Sequence, residues 1–472
     1  MSKIHLVKLV IETASPMAIN SGEQETAFDS QLARDASGLP YIPATAIAGV
    51  WGHLIQDEYG LEIRDKWLGT TSQSASLVIT NGVLHNSLNQ PVAALTHPNI
   101  IKKDVILQQL VLASPMHRER VSINDRGVAK QTGKFDQILL PKGLRFSLSF
   151  KWADQSRADK QTLTEQEWSQ LLSLWQDRRF AFGASTRNGL GQFKIVACEQ
   201  HQFDLQTGAE AGIQLQATLE NKTVRKLNIP PYKAQQTVLL AEMPLQAVDN
   251  WRCGQGTALL GEHTHDGSVA IMTYSEAQVE WRNEQASFSA NKAILCGSSI
   301  KGILAHRIAF HLRKHKSIWA ETMADATHKQ WQTAPEEIED LFGLAADTEK
   351  ESKAGLLYVD DINIDFDKTV IRHHNRIDRF TGGVQKGALF TEELLYQPRF
   401  SVRLWIRAGT VVTPELKAAV SDTLADLKNG LLPFGASSGR GNSLVMADPH
   451  KAWSVNLDAI QTQLQNTVEN VA

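Results

Sequence analysis

The spacing of apolar residues predicts helices in both halves of the chain. Between Ile47 and Ile55, apolar residues recur three and four positions apart, as on one face of a helix, and Thr45 stands at an N-cap position. The same spacing from Ile300 to Leu312 predicts another helix, with Ser298 or Ser299 as its N-cap. Each predicted helix therefore has one apolar side for a protein core.

Other segments alternate apolar and polar residues with a period of two, which is typical of strands. The clearest are RFSLSFKW, which begins at Arg145, and RFSVRLWI, which begins at Arg399. The N-terminal segment MSKIHLVKLVIET alternates in the same way and predicts a first strand rather than a signal peptide. Because helices and strands occur in each half, the predicted fold class is α+β.

These elements follow one another in the same order in the two halves. IPATAIAGVWGHLI in the first half resembles ILCGSSIKGILAHRI in the second, and FGASTRNGLGQF resembles FGASSGRGNSLV. The offset is nearly constant, since 253 positions separate Ala44 from Gly297. We therefore predict two homologous domains, a linker and a C-terminal tail. The expected bounds are residues 1–205 for the first domain, 206–236 for the linker, 237–455 for the second domain and 456–472 for the tail.

The composition is that of an ordinary globular protein, with 42% hydrophobic and 21% charged residues over 472 positions. Its three cysteines, Cys198, Cys253 and Cys296, lie far apart, which argues against a disulfide framework and against a cysteine-bound zinc ion. No apolar run approaches the length of about 18 residues that a transmembrane helix needs. We expect a cytoplasmic protein.

The glycine-rich segment near the end of each half is suited to phosphate binding. Glycine lets main-chain N–H groups approach a phosphate, and serine and arginine side chains add donors that do not distinguish bases. A structural turn with a solvated arginine is the alternative. A Walker A loop is excluded, because neither segment contains Gly-Lys-Ser/Thr. The predicted contact residues are Gly183, Ser185, Arg187, Gly435, Ser437 and Arg440.

Further candidate phosphate contacts lie at a helix N-terminus and in two basic segments. GSSIKG presents hydroxyl groups and Lys301 at the start of a helix, whereas the first half has Ala48 in place of the lysine. A plain helix cap and a solvated charged face are the alternatives. The net charge of the chain is −3, so nucleic-acid binding depends on such local basic surfaces. The candidates in these segments are Arg118, Arg120, Arg126, Lys130, Ser298, Ser299, Lys301, Arg376 and Arg379.

The segments FDSQLARDASGLPYIPATAIAG and NDRGVAKQTG, followed by a terminal glycine-rich loop, resemble the RAMP (repeat-associated mysterious protein) superfamily. The chain looks most like a fusion of two backbone subunits of a type III, III-D-like, CRISPR effector complex. The resemblance covers nearly the whole chain apart from the linker. It implies a ferredoxin-like (RRM-like) fold in each domain, a "thumb" hairpin from each basic segment, and guide CRISPR RNA and other type III effector subunits as partners.

The resemblance also implies a catalytic residue. Asp29 occupies the position of the acidic residue that cleaves RNA in these subunits, and a carboxylate can act as a base or hold a divalent ion, for which Mg²⁺ is expected. An Asx-turn is the alternative role. At an offset of 253, Asp29 meets Arg282, and among the acids in that part of the chain, Asp266, Glu276, Glu280 and Glu284, we take Asp266 as the best candidate. We therefore expect the second domain to bind without cutting; the sequence assigns no metal ligands.

Three functions are consistent with these features. The first is a backbone subunit that binds guide RNA and, as a metal-dependent endoribonuclease, cleaves complementary single-stranded target RNA at the Asp29 site. The second is a structural backbone that binds guide RNA without cleaving. The third is a guide-processing endoribonuclease, which is disfavoured because each half has its own glycine-rich loop and basic segment.

Overall fold

We describe a computed structural model of the chain. The described residues are 3–21, 31–92, 94–124, 128–153, 164–206, 208–221, 224, 236–262, 269–327, 330, 333–344 and 351–462. No helix within these ranges is both long enough and apolar enough to cross a membrane.

The first half contains a main sheet, a protruding hairpin and short helices. Its strands are β1 (Lys3–Thr13), β2 (Leu77–Ile79), β3 (Val83–Leu84), β4 (Met116–Ile123), β5 (Ala129–Leu139), β6 (Arg145–Ala153) and β7 (Phe193–Asp204). Its helices are α1 (Ala44–Tyr59), α2 (Leu61–Leu68), α3 (Pro98–Lys103), α4 (Val105–Leu110) and α5 (Glu165–Ser173). The predicted linker contains α6 (Ala209–Glu220).

The second half repeats this plan with additional short strands. Its main strands and hairpins are β8 (Thr237–Ala247), β9 (Asn250–Trp251), β10 (Val269–Ile271), β11 (Ser275–Glu276), β12 (Val279–Arg282), β13 (Gln285–Phe288) and β14 (Lys292–Leu295). They continue as β15 (Gly343–Leu344), β16 (Lys353–Ala354), β17 (Leu357–Val359), β18 (Ile362–Asn363), β19 (Thr369–His374), β20 (Phe390–Tyr396) and β21 (Arg399–Arg407). The last are β22 (Thr410–Val412), β23 (Val445–Ala447), β24 (Ser454–Val455) and β25 (Ile460–Thr462). The helices are α7 (Gly297–His315), α8 (Glu336–Phe342) and α9 (Pro414–Lys428).

Both main sheets have the strand order of a ferredoxin-like fold. The first is antiparallel with the order β7-β1-β6-β2, and the second is antiparallel with the order β23-β8-β21-β17. In each sheet the first and third strands are therefore central, and the fourth and second strands flank them. The predicted α+β class with two tandem ferredoxin-like domains is confirmed.

The alternating segments bury one side against the helices, as the sequence predicts. In β6 the buried residues include Phe146, Phe150 and Trp152, and Trp51 of α1 packs edge-on against Phe150 at 5.0 Å between ring centroids. The indole N–H of Trp51 donates to the carbonyl oxygen of Leu171 at 3.1 Å, so the buried polar atom is satisfied. Large aromatic side chains thus supply much of the apolar area that holds α1 on the sheet.

The predicted N-caps are wrong, because each helix begins earlier and is capped from another element. Helix α1 begins at Ala44, whose N–H donates to Asn81 Oδ1 at 2.8 Å. Helix α7 begins at Gly297, whose N–H donates to Asp361 Oδ1, also at 2.8 Å. The acceptor follows β2 in one domain and β17 in the other, so the same capping contact occurs twice.

Each domain inserts a hairpin between the second and third strands of its main sheet. The hairpins are β4–β5 in the first domain and β19–β20 in the second, and both are antiparallel. They coincide with the basic segments of the sequence. Phe380, between β19 and β20, is 95% exposed, and Arg376 and Arg379 are exposed beside it.

A second-domain hairpin packs into the core of the first domain. Val279 and Ala286, from β12–β13, are buried among first-domain residues. The indole N–H of Trp281 donates to the carbonyl oxygen of Gly143 at 2.7 Å, and the Arg145 guanidinium lies 4.0 Å from the centroid of the Trp281 ring. The two domains thus share buried apolar area.

Candidate nucleic-acid interface

The two glycine-rich loops have the same backbone conformation. Ser185 and Ser437 are left-handed, with φ of 59° and 64°, and each precedes one turn of 3-10 helix. In that turn the N–H of Asn188 donates to the carbonyl of Ser185, and the N–H of Arg440 donates to the carbonyl of Ser437, both at 2.9 Å. The structure therefore makes Arg440 the counterpart of Asn188, one position after Arg187.

Glycine is needed where each loop meets the segment after the first strand. A Cβ on Gly183 would lie 2.1 Å from the carbonyl oxygen of Ala18, and one on Gly435 would lie 2.6 Å from Trp251 Nε1. Both glycines also have positive φ. These two glycines therefore have a structural role in placing the loop, whatever the loop binds.

The first-domain loop lies against the N-terminus of α7 in the second domain. A Cβ on Gly189 would lie 2.6 Å from the backbone nitrogen of Asp361, and a Cβ on Gly297 would lie 2.7 Å from the carbonyl oxygen of Asn188. The loop and the GSSIKG segment, which the sequence suggests as separate phosphate sites, thus come together between the domains.

Three cations meet at this junction: Arg120, Arg187 and Lys301. Arg120 Nη1 donates to Ser185 Oγ at 3.3 Å, and the Arg187 guanidinium lies 5.4 Å from the centroid of the Tyr358 ring. Burial, followed by the charge of Arg187, lowers the pKa of Lys301 to about 8. The Arg187 guanidinium therefore lies close to an ammonium group that is only 8% exposed, and Arg120 contacts the loop that carries Arg187.

The acid at this junction, Asp361, is already paired with Arg118. Within the described residues, none of the three cations forms an ion pair with a carboxylate. Nε and Nη2 of Arg120 and Nε of Arg187 are buried without a hydrogen-bond partner. Unpaired buried donors cost free energy, so the junction, which we call the cation pocket (Arg120, Arg187 and Lys301), is suited to an anion.

Arg118, which the sequence groups with these cations, has a different environment. It is 1% exposed and pairs with two second-domain carboxylates, at 2.5 Å from Glu276 Oε1 and 2.8 Å from Asp361 Oδ2. Tyr274 also donates its hydroxyl to Glu276 Oε1, at 2.5 Å. Arg118 therefore joins the two domains and has no free donor face toward solvent.

The second-domain loop is held by groups of its own domain. Ser437 Oγ accepts from Arg252 at 2.9 Å and from Arg440 at 2.6 Å. The fully buried carboxylate of Glu392 lies beside this loop. Its Oε1 accepts a hydrogen bond from the Asn442 amide at 2.9 Å and lies 2.6 Å from His374 Nε2. Arg440 is exposed, so this loop presents its cation to solvent.

Lys130, Ser298 and Ser299 complete the predicted residues that the structure describes. Lys130 is exposed on β5, Ser299 is exposed in the first turn of α7, and Ser298 beside it is half-buried. Asp29 and Arg126 lie outside the described residues. Sequence reasoning did not single out Asp361, Arg252 or Glu392 as interface residues. The sequence signal for Asp361 is the internal repeat, in which TNG at 80–82 aligns with DDI at 360–362 and so pairs Asn81 with Asp361.

One described group of side chains has the composition of a metal site. His117, Glu119 and Asp136, on the β4–β5 hairpin, have ligand atoms within 4.8 Å of one another. Lys134 Nζ lies 3.1 Å from Glu119 Oε1, so a cation already neutralises part of the group. It is not part of the cation pocket, and we assign it no role.

The structural repeat corrects the offset in the segment that follows Asp29. The N–H of Tyr41 donates to the carbonyl of Ala33, and that of Ile294 donates to the carbonyl of Tyr274, so Ala33 and Tyr274 correspond. By sequence count alone, position 29, which lies outside the described residues, then falls opposite Ala270 rather than Arg282. The β12–β13 hairpin, which the first domain lacks at this point, accounts for the difference.

The fold and the repeated loops define a class: a tandem of ferredoxin-like domains, each with a glycine-rich loop and an inserted hairpin. The model of the RAMP superfamily matches residues 10–194 and again residues 251–443, and the chain belongs to this superfamily.

One similar solved chain comes from the cryo-EM structure of the Type III-B Cmr-beta bound to cognate target RNA. It is 16% identical, with a TM-score of 0.29, over 42% of this chain and 61% of that chain. The chain thus spans less than two thirds of the solved chain that it matches. No curated protein matches the sequence.

Proposed function

We propose that the chain is a backbone subunit of a type III CRISPR ribonucleoprotein that binds guide RNA along both domains. It would work with other type III effector subunits and cleave complementary single-stranded target RNA at one site in the first domain. The cation pocket is the observation that carries the RNA-binding part of this proposal. Membership of the RAMP superfamily is the general support for it.

The pocket suits a phosphate for electrostatic reasons. Arg120, Arg187 and Lys301 are partly or largely removed from water, and within the described residues none of them forms an ion pair with a carboxylate. A phosphodiester would supply the missing charge and accept hydrogen bonds from the unpaired guanidinium nitrogens. Such contacts recognise the backbone and not the base, as a subunit that carries guides of varied sequence requires.

The second-domain hairpin suits a different part of an RNA strand. Phe380 projects almost fully into solvent, one position after Arg379 and four after Arg376, both of which are exposed. An exposed aromatic ring can stack on a base while flanking arginines contact phosphates. We propose that this hairpin and β4–β5 act as the two thumbs, with Lys130 and Arg126 as further phosphate contacts in the first. Arg440, Ser437 and Gly435 would contact RNA at the exposed second-domain loop.

We assign cleavage to Asp29, with Mg²⁺ as the divalent ion. A carboxylate there can accept the proton of the attacking 2′-hydroxyl or hold the ion, which would stabilise charge on the scissile phosphate. The corresponding position in the second domain is Ala270, which has no such group. One cut per chain is therefore expected.

The test uses the chain co-expressed with its native partner subunits. RNA that co-purifies is sequenced, and cut positions are mapped on complementary RNA for the wild type, Asp29→Ala and the control Asp65→Ala. We expect short RNAs that share a repeat-derived end, and loss of one cut position in Asp29→Ala with target binding retained. Random host fragments would contradict guide binding, and an unchanged cleavage pattern would contradict the role of Asp29.

A further inference from the structure

Arg118, the arginine of the interdomain contact, has a counterpart in the second domain. Arg118 projects from β4, and the corresponding strand of the second domain is β19. Strand pairing fixes this correspondence. The paired residues Met17 and Leu140 of the first domain correspond to Trp251 and Leu395 of the second. Counting along the hairpins, the pair Arg118 and Gln137 then corresponds to the pair Arg372 and Glu392. Arg372 therefore occupies the position of Arg118.

The two arginines differ in what faces them. Arg118 is buried between Glu276 and Asp361 of the next domain. Arg372 is half-buried, donates to Asn442 Oδ1 at 3.1 Å, and has no ion-pair partner among the described carboxylates. The second domain thus presents the arginine of the interdomain contact without the acidic surface that satisfies it.

The acidic surface that faces Arg118 also has a counterpart, which lies on the first domain and has different side chains. Asn81 corresponds to Asp361, since each caps the first N–H of its helix at 2.8 Å. By the backbone register, Ala33 corresponds to Tyr274 and Asp35 to Glu276. The carboxylate, the phenol and the glutamate that surround Arg118 are thus replaced by an amide, a methyl group and an aspartate.

That aspartate is occupied within its own turn. Asp35 Oδ1 accepts from the backbone N–H groups of Ser37 at 2.8 Å and Leu39 at 3.0 Å. A second copy of the chain, docked by its first domain onto the second domain, would therefore bring Asn81 to Arg372 in place of a carboxylate. The arginine would lose water without gaining a counter-charge, which disfavours this contact.

We propose that the surface around Arg372 is a docking site for a RAMP-type domain of a different chain, one with an acidic residue at the position that Asn81 occupies here. The argument is the continuity of this surface with the Arg118 interface and its charge complementarity to an acid. Asn81 excludes a second copy of the same chain, and so limits the tandem to one copy at that place in the assembly. The identity of the partner as an effector subunit rests on the proposed function, whereas the selection against self-association does not.

The test is to restore the acid on the chain itself. The sedimentation of nuclease-treated wild type, Asn81→Asp and Asn99→Asp is compared as a function of concentration and salt. Asn99→Asp is the matched control, because it adds the same charge at an exposed position of the first domain. We expect wild type and Asn99→Asp to remain monomeric, and Asn81→Asp to self-associate at least about tenfold more tightly. Adding Arg372→Gln to Asn81→Asp should abolish the gain.

Several results would overturn the proposal. They are self-association of the wild type through Arg372, no gain in Asn81→Asp, or an equal gain in Asn99→Asp. Arg372→Gln is also tested for affinity to a fluorescent single-stranded RNA. A large loss of RNA affinity would make Arg372 an RNA contact rather than a protein-docking residue. Because sedimentation is measured without RNA, failure of the proposed RNA function would leave its result unaffected.

Discussion

Arg118 of the first domain and Asp361 of the second form an ion pair of 2.8 Å that is almost completely removed from water. The same aspartate caps α7 through the N–H of Gly297. One carboxylate therefore holds the first-domain hairpin and positions the helix that contributes Lys301 to the cation pocket. The domain interface and the candidate RNA site are thus built on the same residue.

Removing the charge of Arg118 should destabilise the chain strongly. Arg118→Gln leaves Glu276 and Asp361 buried with no counter-charge, and breaking such a pair costs about 3–5 kcal/mol. The measurement is the midpoint of urea unfolding. Lys134→Gln, which breaks the exposed ion pair with Glu119, should lower the free energy of unfolding by less than about 1 kcal/mol. Equal losses in the two variants would contradict a special role for the buried pair.

RNA affinity should fall as the pH rises through about 8. The pKa of Lys301 is lowered to about 8 by burial and then by Arg187, so the ammonium group is charged below that pH and becomes neutral above it. Loss of the cation removes an attraction for phosphate. Fluorescence anisotropy with a labelled single-stranded RNA at pH 7 and pH 9 checks this, and Lys301→Arg should bind with a much smaller change. A pH profile that is the same in both proteins would exclude Lys301 as the titrating group.

The same lysine should make the stability of the folded state rise with pH between about pH 8 and 10.5. Because the folded pKa lies below the ordinary value of 10.5, the unfolded chain binds the proton more strongly between about pH 8 and 10.5. Stability conferred at this site therefore rises with pH in that window. Thermal unfolding of wild type and Lys301→Met at pH 8 and pH 10 measures the difference. A larger pH response in the variant would contradict the assignment.

Replacing Gly183 with alanine should disrupt the first-domain loop. The residue has a φ of 85°, and the new Cβ would meet the Ala18 carbonyl oxygen at 2.1 Å. Backbone strain alone costs roughly 1–3 kcal/mol, and the clash adds to it. Gly208→Ala is the control, because Gly208 also has positive φ, 126°, but open space around it. The melting temperature of Gly183→Ala should fall below that of Gly208→Ala, and the reverse order would show that close packing is not the constraint.

Removing Arg187 or Lys301 from the cation pocket should reduce the salt dependence of RNA binding. Each phosphate contact releases counterions, so losing one charge lowers the slope of log affinity against log salt by about 1. Arg187→Ala and Lys301→Ala are measured between 50 and 200 mM salt, which are about the concentrations over which this effect is large. Unchanged slopes would mean that neither side chain neutralises a phosphate.

The fold class can be predicted from local sequence patterns, whereas the cation pocket depends on how the two domains pack against each other. The alternation in RFSLSFKW and the repeated helix segments predict the strands and helices directly, because each depends on neighbours in sequence. The helix caps were not predictable in this way, since Asn81 and Asp361 lie 37 and 64 positions from the groups they cap. The meeting of Arg187 with Lys301 depends on how the two domains pack, which no local pattern encodes.

The constant offset between the halves was useful only where neither half has an insertion. It matched Ala44 with Gly297, which the caps support, but it failed where Ala33 corresponds to Tyr274, because the β12–β13 hairpin displaces the register. The basic segments were predicted as one kind of surface, yet Arg118 is buried between acids while Arg120, two residues later, belongs to the cation pocket. Because residues two positions apart point to the same face of a strand, alternation along β4 does not separate the two side chains, and the packing of the partner domain does.

The most direct test of the cation pocket compares two lysines on one helix. Lys301→Ala and Lys314→Ala remove the same charge from α7, but Lys301 is buried beside Arg187, and Lys314 is exposed 3.5 Å from Asp422. The measurement is the affinity for a labelled single-stranded RNA at pH 7 and fixed salt. We predict a loss of at least about tenfold for Lys301→Ala and little change for Lys314→Ala. Equal affinities in the two variants would contradict phosphate binding at the junction of the two domains.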